Sequence, residues 1–191
     1  MIYFPMITLE GCVGWNSLNS FPPNNWEVEK NNNFYLYLIF IENNKWRTHL
    51  IKEFNSVETF NIDENDINKI TKSKSIKVFC LSKSKLPDSS ITLPLMKFES
   101  TSIPTWRSSI GLKNDTNSSS YQGEIIPFSL KSNFLTFAPF IQDHNDNLQN
   151  FLVFTNLEKA PNKRKAHIDF TDIANPKKIL KTCEVYNNTV N

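Results

Sequence analysis

Phe34-Tyr35-Leu36-Tyr37-Leu38-Ile39-Phe40-Ile41 runs straight into Glu42-Asn43-Asn44-Lys45 and then Trp46-Arg47-Thr48-His49-Leu50-Ile51. The first run is hydrophobic or aromatic at every position rather than at alternate ones, a composition that suits a strand. Successive side chains on a strand point to opposite faces, so this run needs apolar cover on both sides, in the middle of a sandwich or beneath a second layer. The asparagines that follow tolerate positive φ, and Glu42 to Lys45 therefore predicts a tight hairpin of well-specified register. The run is also far shorter than the roughly 20 apolar residues that cross a bilayer as a helix.

Runs rich in Phe, Tyr, Ile, Val and Thr recur along the chain, separated by clusters of Asn, Ser, Pro, Asp and Lys, which is the mark of an all-β protein. Strands are expected near Tyr3 to Leu9, Phe34 to Ile41, Trp46 to Ile51, Val57 to Ile62, Ser75 to Leu81, Thr92 to Phe98, Thr105 to Leu112, Tyr121 to Phe128, Phe134 to Ile141, Phe151 to Leu157, Ala166 to Phe170 and Ile179 to Tyr186. Asp63 to Lys72 reads as a short helix, with Asp63 able to cap its start and Ile67 and Ile70 on one face. Phe134-Leu135-Thr136-Phe137-Ala138-Pro139-Phe140 repeats the two-faced pattern, with Pro139 placing its end at an edge or bulge. With at most one or two short helices to cover a sheet, the economical architecture is an antiparallel β-sandwich, jelly-roll-like, in one domain over 1–191. Gly11 to Asn33, with Pro22-Pro23, is expected to be an irregular wrapping segment, and Asn187 to Asn191 a frayed tail. Lys113 to Ser120 and Gln142 to Asn150 are expected to be long hairpin loops.

The 191 residues are 39% hydrophobic and 21% charged, with a net charge of +2. That apolar supply excludes wholesale disorder, and so small a charge argues against nucleic acid as the partner. Lysine clusters at Lys69 to Lys77, Lys163 to Lys165 and Lys177 to Lys181 read as solvated faces that also keep strand edges from pairing. Cys12, Cys80 and Cys183 are widely spaced and odd in number, which excludes a dense disulfide framework and predicts reduced, partly buried thiols. The start, Met1 to Glu10, has no basic segment before its short apolar run, pointing to a cytoplasmic chain with no membrane span. The sequons at Asn114, Asn117 and Asn187 would matter in a secretory context alone.

Two of the three arginines directly follow a tryptophan, in Trp46-Arg47 and Trp106-Arg107. Arginine suits bidentate capture of anions and tryptophan suits stacking. Neighbours on a regular strand point apart, however, so each tryptophan is expected in the core and each arginine at the outer surface or in an ion pair. Glycines are scarce, at 11, 14, 111 and 123. If Leu112 pairs with Tyr121, Gly111 lies opposite Gln122 and near Gly123, leaving a patch that a ligand can approach or a core aromatic can fill. Trp15, Trp26, Arg107, Tyr121 and Gln122 are accordingly the residues expected to contact a ligand.

The motifs of common chemistries are incomplete. Gly11-Cys12-Val13-Gly14-Trp15 lacks phosphate-loop spacing, and Asp143-His144-Asn145-Asp146-Asn147 lacks the glycine and glutamate that finish a calcium loop. His167-Ile168-Asp169 has the His-x-Asp spacing of jelly-roll iron sites, but no histidine follows to complete the triad. No Gly-x-Ser-x-Gly elbow exists, and Glu124 with Asp169 is the remaining pairing for hydrolysis. The sequence therefore points to a non-enzymatic binding module, without metal or cofactor, whose loops and one sheet face take a glycan or protein ligand. Two alternatives stand beside it: a carbohydrate-active β-sandwich enzyme using paired carboxylates, and a subunit of a larger assembly docked through Gly11 to Asn33.

Overall fold

The computed structural model describes residues 2–19, 34–55, 58–82, 84–93, 108–122 and 151–191. In chain order these form β1 (Ile2–Pro5), β2 (Val13–Asn19), β3 (Phe34–Glu42), β4 (Lys45–Phe54), β5 (Thr59–Asp63), α1 (Glu64–Ile70), β6 (Val78–Ser82), β7 (Ser89–Ser90), β8 (Ser109–Lys113), β9 (Ser118–Gln122), β10 (Lys165–Asp172) and β11 (Asn175–Tyr186). An open five-stranded sheet runs in the order β1-β6-β3-β4-β7, a four-stranded one in the order β5-β2-β8-β9, and β10 and β11 pair with each other. Every pairing is antiparallel. The all-β, sandwich-like class is the one the strand pattern predicts.

β3 is covered on both faces, as its sequence demands. Leu36, Leu38 and Phe40 meet Phe4, Phe79 and Leu81 of their own sheet and Leu18, Ile62 and Ile110 of the four-stranded sheet. Tyr37 and Ile39 point the other way and join Tyr3, Trp46, Val78 and Cys80. The cover on that second face comes from residues outside the strands: Ile76, Leu93 and Leu157. Sheet thus packs on sheet on one side of β3, and irregular backbone packs on the other.

The β3–β4 turn is the one its asparagines predict, with Asn43 and Asn44 at φ 52° and 55°. Positive φ at both central residues matches the twist of the flanking strands. Beyond the turn the Trp-Arg pair splits as expected. Trp46 is buried, and its indole N–H donates to the Lys159 carbonyl at 2.8 Å, tying the sheet to the irregular cover. Arg47 reaches Glu42 at 3.5 Å. Trp106 and Arg107 lie outside the described residues, as do the run Phe134 to Phe140, Gly123, and the loop Asp143 to Asn147.

Four expectations change. Gly11 to Asn33 contains a seven-residue strand, β2, paired on both sides by β5 and β8. Phe151 to Leu157 forms no strand, only a bridge from Thr155 to Val190. Leu112 pairs with Ser119 rather than Tyr121, so Gly111 faces Ser120. The cause is a tight turn, in which the Asn114 carboxamide oxygen accepts from the backbone N–H groups of Thr116 and Asn117 at 3.0 and 2.8 Å, and strand pairing continues through Ser118 to Ser120. The C-terminal residues are anchored, not frayed: Asn187 and Asn188 are buried, and Asn191 exchanges backbone hydrogen bonds with Phe154.

Candidate functional site

β2 lies in the middle of the four-stranded sheet although its sequence, Val13-Gly14-Trp15-Asn16-Ser17-Leu18-Asn19, offers little apolar alternation. Its inward positions are crowded by the chain that leaves β1. A β-carbon at Gly14 would run into the Ile7 carbonyl oxygen and stand 2.9 Å from Met6 Sδ, while Asn16 donates to the Pro5 carbonyl at 3.1 Å. Leu18 alone supplies a large apolar side chain to the core there.

The opposite face of β2 carries Trp15, set between Asp63 on β5 and Gly111 on β8. Residues paired across strands project to the same side, so these three share the outer face of the sheet. Gly111 is a seat for the indole. A β-carbon there would lie 2.7 Å from Trp15 Cε2 and would also collide with the Ser119 carbonyl oxygen. The slot left by the missing side chain is filled by an aromatic ring of the protein itself.

Around Trp15 opens a cleft of about 250 Å³, lined by Asn16, Asn61, Asp63, Asp66, Lys113 and Ser118 among others. Asp63 is held in place by three donors. As the helix cap it accepts from the N–H groups of Asn65 and Asp66 at 3.0 and 3.3 Å, and Lys113 Nζ reaches its other oxygen at 3.1 Å. Desolvation opposes its ionisation, but the Lys113 hydrogen bond and the helix N–H groups outweigh it and keep the carboxyl below its ordinary range. Asp66 pairs with Lys69 at 2.8 Å. The Trp15 indole N–H and the Asn16 carboxamide oxygen, both buried, find no hydrogen-bond partner among the described residues.

Of the residues expected at a ligand site, Trp15 lines this cleft. Tyr121 and Gln122 close β9, paired with Ile110 and Ser109. Trp26, Arg107 and Glu124 lie outside the described residues. Asp169 sits on β10, accepts a hydrogen bond from Thr182 at 2.6 Å, and is not part of the cleft. His167 pairs across the hairpin with Glu184, and the described residues hold no group of three or more side chains arranged for a metal. The residues missed from sequence are Asn61, Asp63, Asp66, Lys113 and Ser118. The cue for Asp63 was present, since a helix cap at a strand end places its carboxylate beside the neighbouring strand.

Cys80 offers no nucleophile. It is fully buried, burial pushes its thiol up to about 12, and Tyr3, its hydroxyl likewise raised by burial, lies against it. All three cysteines are unbridged. Among the described residues no helix is long and apolar enough to cross a membrane. No family model, curated protein or solved structure matches this chain, so the chemistry of the cleft itself is what bears on function.

Proposed function

We propose that the protein is a non-enzymatic binding module whose cleft on the outer face of the four-stranded sheet takes a glycan. The observation that carries this is the grouping of one indole, Trp15, with Asn61, Asp63, Asp66 and Lys113 around an open cleft. A sugar ring presents apolar C–H faces and a rim of hydroxyls, which an indole and a set of carboxylates and amides complement. Asp63 does not suit the role of general acid. A general acid at neutral pH needs a raised pKa, whereas this carboxyl is lowered and its oxygens already accept from fixed donors.

The test is a glycan array followed by titration calorimetry on any hit. Trp15→Ala and Asp66→Ala should each weaken binding by tenfold or more, about 1.4 kcal/mol, with Trp15→Phe retaining most of it and all variants folded by circular dichroism. A folded wild-type protein that binds nothing on a broad array would overturn the reading.

A further inference from the structure

β10 and β11 form a hairpin that stands apart. Their pairing with each other is extensive, and no other described strand, nor the helix, packs broadly on either. An isolated two-stranded ribbon is marginal in water, so its base needs a mount. That mount is a polar cluster. The Arg164 guanidinium clasps the buried Glu158 carboxylate, Asn187 Nδ2 donates to the same carboxylate at 2.9 Å, and the Asn187 N–H donates to the Arg164 carbonyl at 3.0 Å. Asn188, at φ 54°, accepts from the Glu158 N–H at 2.8 Å, and its carbonyl accepts from Ile76 N–H at 2.8 Å, linking the mount to the core.

The far end has a different character. Pairing is regular from Lys165–Tyr186 to Phe170–Lys181, then shifts twice before Asp172 meets Asn175. No other described element packs broadly on either face of the ribbon, so Ile179 and Leu180, though adjacent, are both exposed, at 56% and 61%. Ile173 in the turn is 96% exposed. Exposed with them are Lys177, Lys178 and Lys181. Toward the base, Glu184 is engaged by Lys165 and by the Tyr186 hydroxyl; at the tip, Asp172 lies 3.6 Å from Lys178. Lys177 and Lys181 make no ion pair among the described residues. The tip thus combines three aliphatic side chains with a net positive charge.

We infer that the tip of the β10–β11 hairpin docks on the surface of a bilayer carrying anionic lipids. Its aliphatic residues enter the headgroup boundary while its lysines engage the negative surface potential. The composition selects lipid over protein: lysine is depleted at protein interfaces, and the tryptophan, tyrosine and arginine that anchor them are missing from Asp172 to Lys181. The same lack of aromatics leaves no stacking platform for nucleic-acid bases. This inference is independent of the glycan cleft.

The experiment is co-sedimentation of the full chain with vesicles of phosphatidylcholine alone and of phosphatidylcholine mixed with phosphatidylserine. Binding to the mixed vesicles that falls with added salt is expected. Lys177→Gln and Lys181→Gln should each weaken it about fivefold, and Ile173→Ser, at a side chain nearly free of protein contact, should weaken it further with the circular dichroism spectrum unchanged. Equal binding to both vesicle types, no binding to either, or full binding by a variant that carries Lys177→Gln, Lys181→Gln and Ile173→Ser together overturns the inference. So does concentration-dependent self-association that Ile173→Ser abolishes in the absence of vesicle binding, which would make the tip a protein contact.

Discussion

The indole of Trp15 rests on Gly111, so close that a β-carbon at position 111 would stand 2.7 Å from Trp15 Cε2. A glycine in the strand next to β2 therefore decides where the indole that lines the cleft can lie. Gly111→Ala should destabilise the protein by about 1–3 kcal/mol, because ring and strand must both shift. Urea unfolding checks this. Adding Trp15→Ala should restore only part of the loss, since the Ser119 carbonyl also blocks the new methyl group; complete recovery would show that the ring alone sets the limit.

Leu38 and Ile39 are neighbours on β3 that enter two different cores. Truncating either to alanine should cost about 2–5 kcal/mol. Leu50, partly exposed on β4, should lose less than either. Denaturation midpoints for the three variants test whether irregular backbone excludes water from the second face of β3 as effectively as a sheet does from the first. A cheap Ile39→Ala would contradict that.

Asp63 couples the cleft to acid stability. Its carboxyl titrates lower in the folded protein than in the unfolded chain, so its contribution is complete above the unfolded value of about 4 and disappears as pH falls through the folded one. Asp63→Asn keeps a good helix cap but removes the charge that Lys113 meets. Its melting temperature should therefore depend less on pH below about 4 than that of the wild type. Asp63→Ala, which loses the cap as well, should cost about 1 kcal/mol at neutral pH.

The cysteines should separate by reactivity. Cys12 and Cys183 are half-buried and Cys80 is fully buried with its thiol pushed up to about 12. At mildly alkaline pH a maleimide should modify Cys12 and Cys183 in the native protein and reach Cys80 only after denaturation. Mass spectrometry of the peptides distinguishes the three, and rapid native labelling of Cys80 would contradict its burial.

The legible parts of the fold are those in which local chemistry and tertiary packing agree. The two-faced run at β3, the Asn43-Asn44 turn and the Asp63 cap each carry a preference that the final structure uses. β2 was illegible for the opposite reason. Gly14 and Asn16 occupy inward positions because the Pro5 to Ile7 segment fills that space, and a strand whose inner face is met by backbone need not be apolar. The β8–β9 hairpin hid its strand in Ser118 to Ser120, serines that resemble a loop and pair because the Asn114 turn brings them back in register.

By itself, the sequence determined that the chain builds antiparallel sheets around β3 and that its tryptophan and arginine neighbours at 46 and 47 must part. Periodicity, turn chemistry and capping act over a few residues and are written in adjacent positions. Only the tertiary structure decided that Trp15 shares a cleft with Asp63, Asp66 and Lys113, and that Ile173, Ile179 and Leu180 stand exposed at the end of one hairpin. Those relations depend on pairing register and on which backbone fills which face, and both emerge from contacts between residues far apart in the chain.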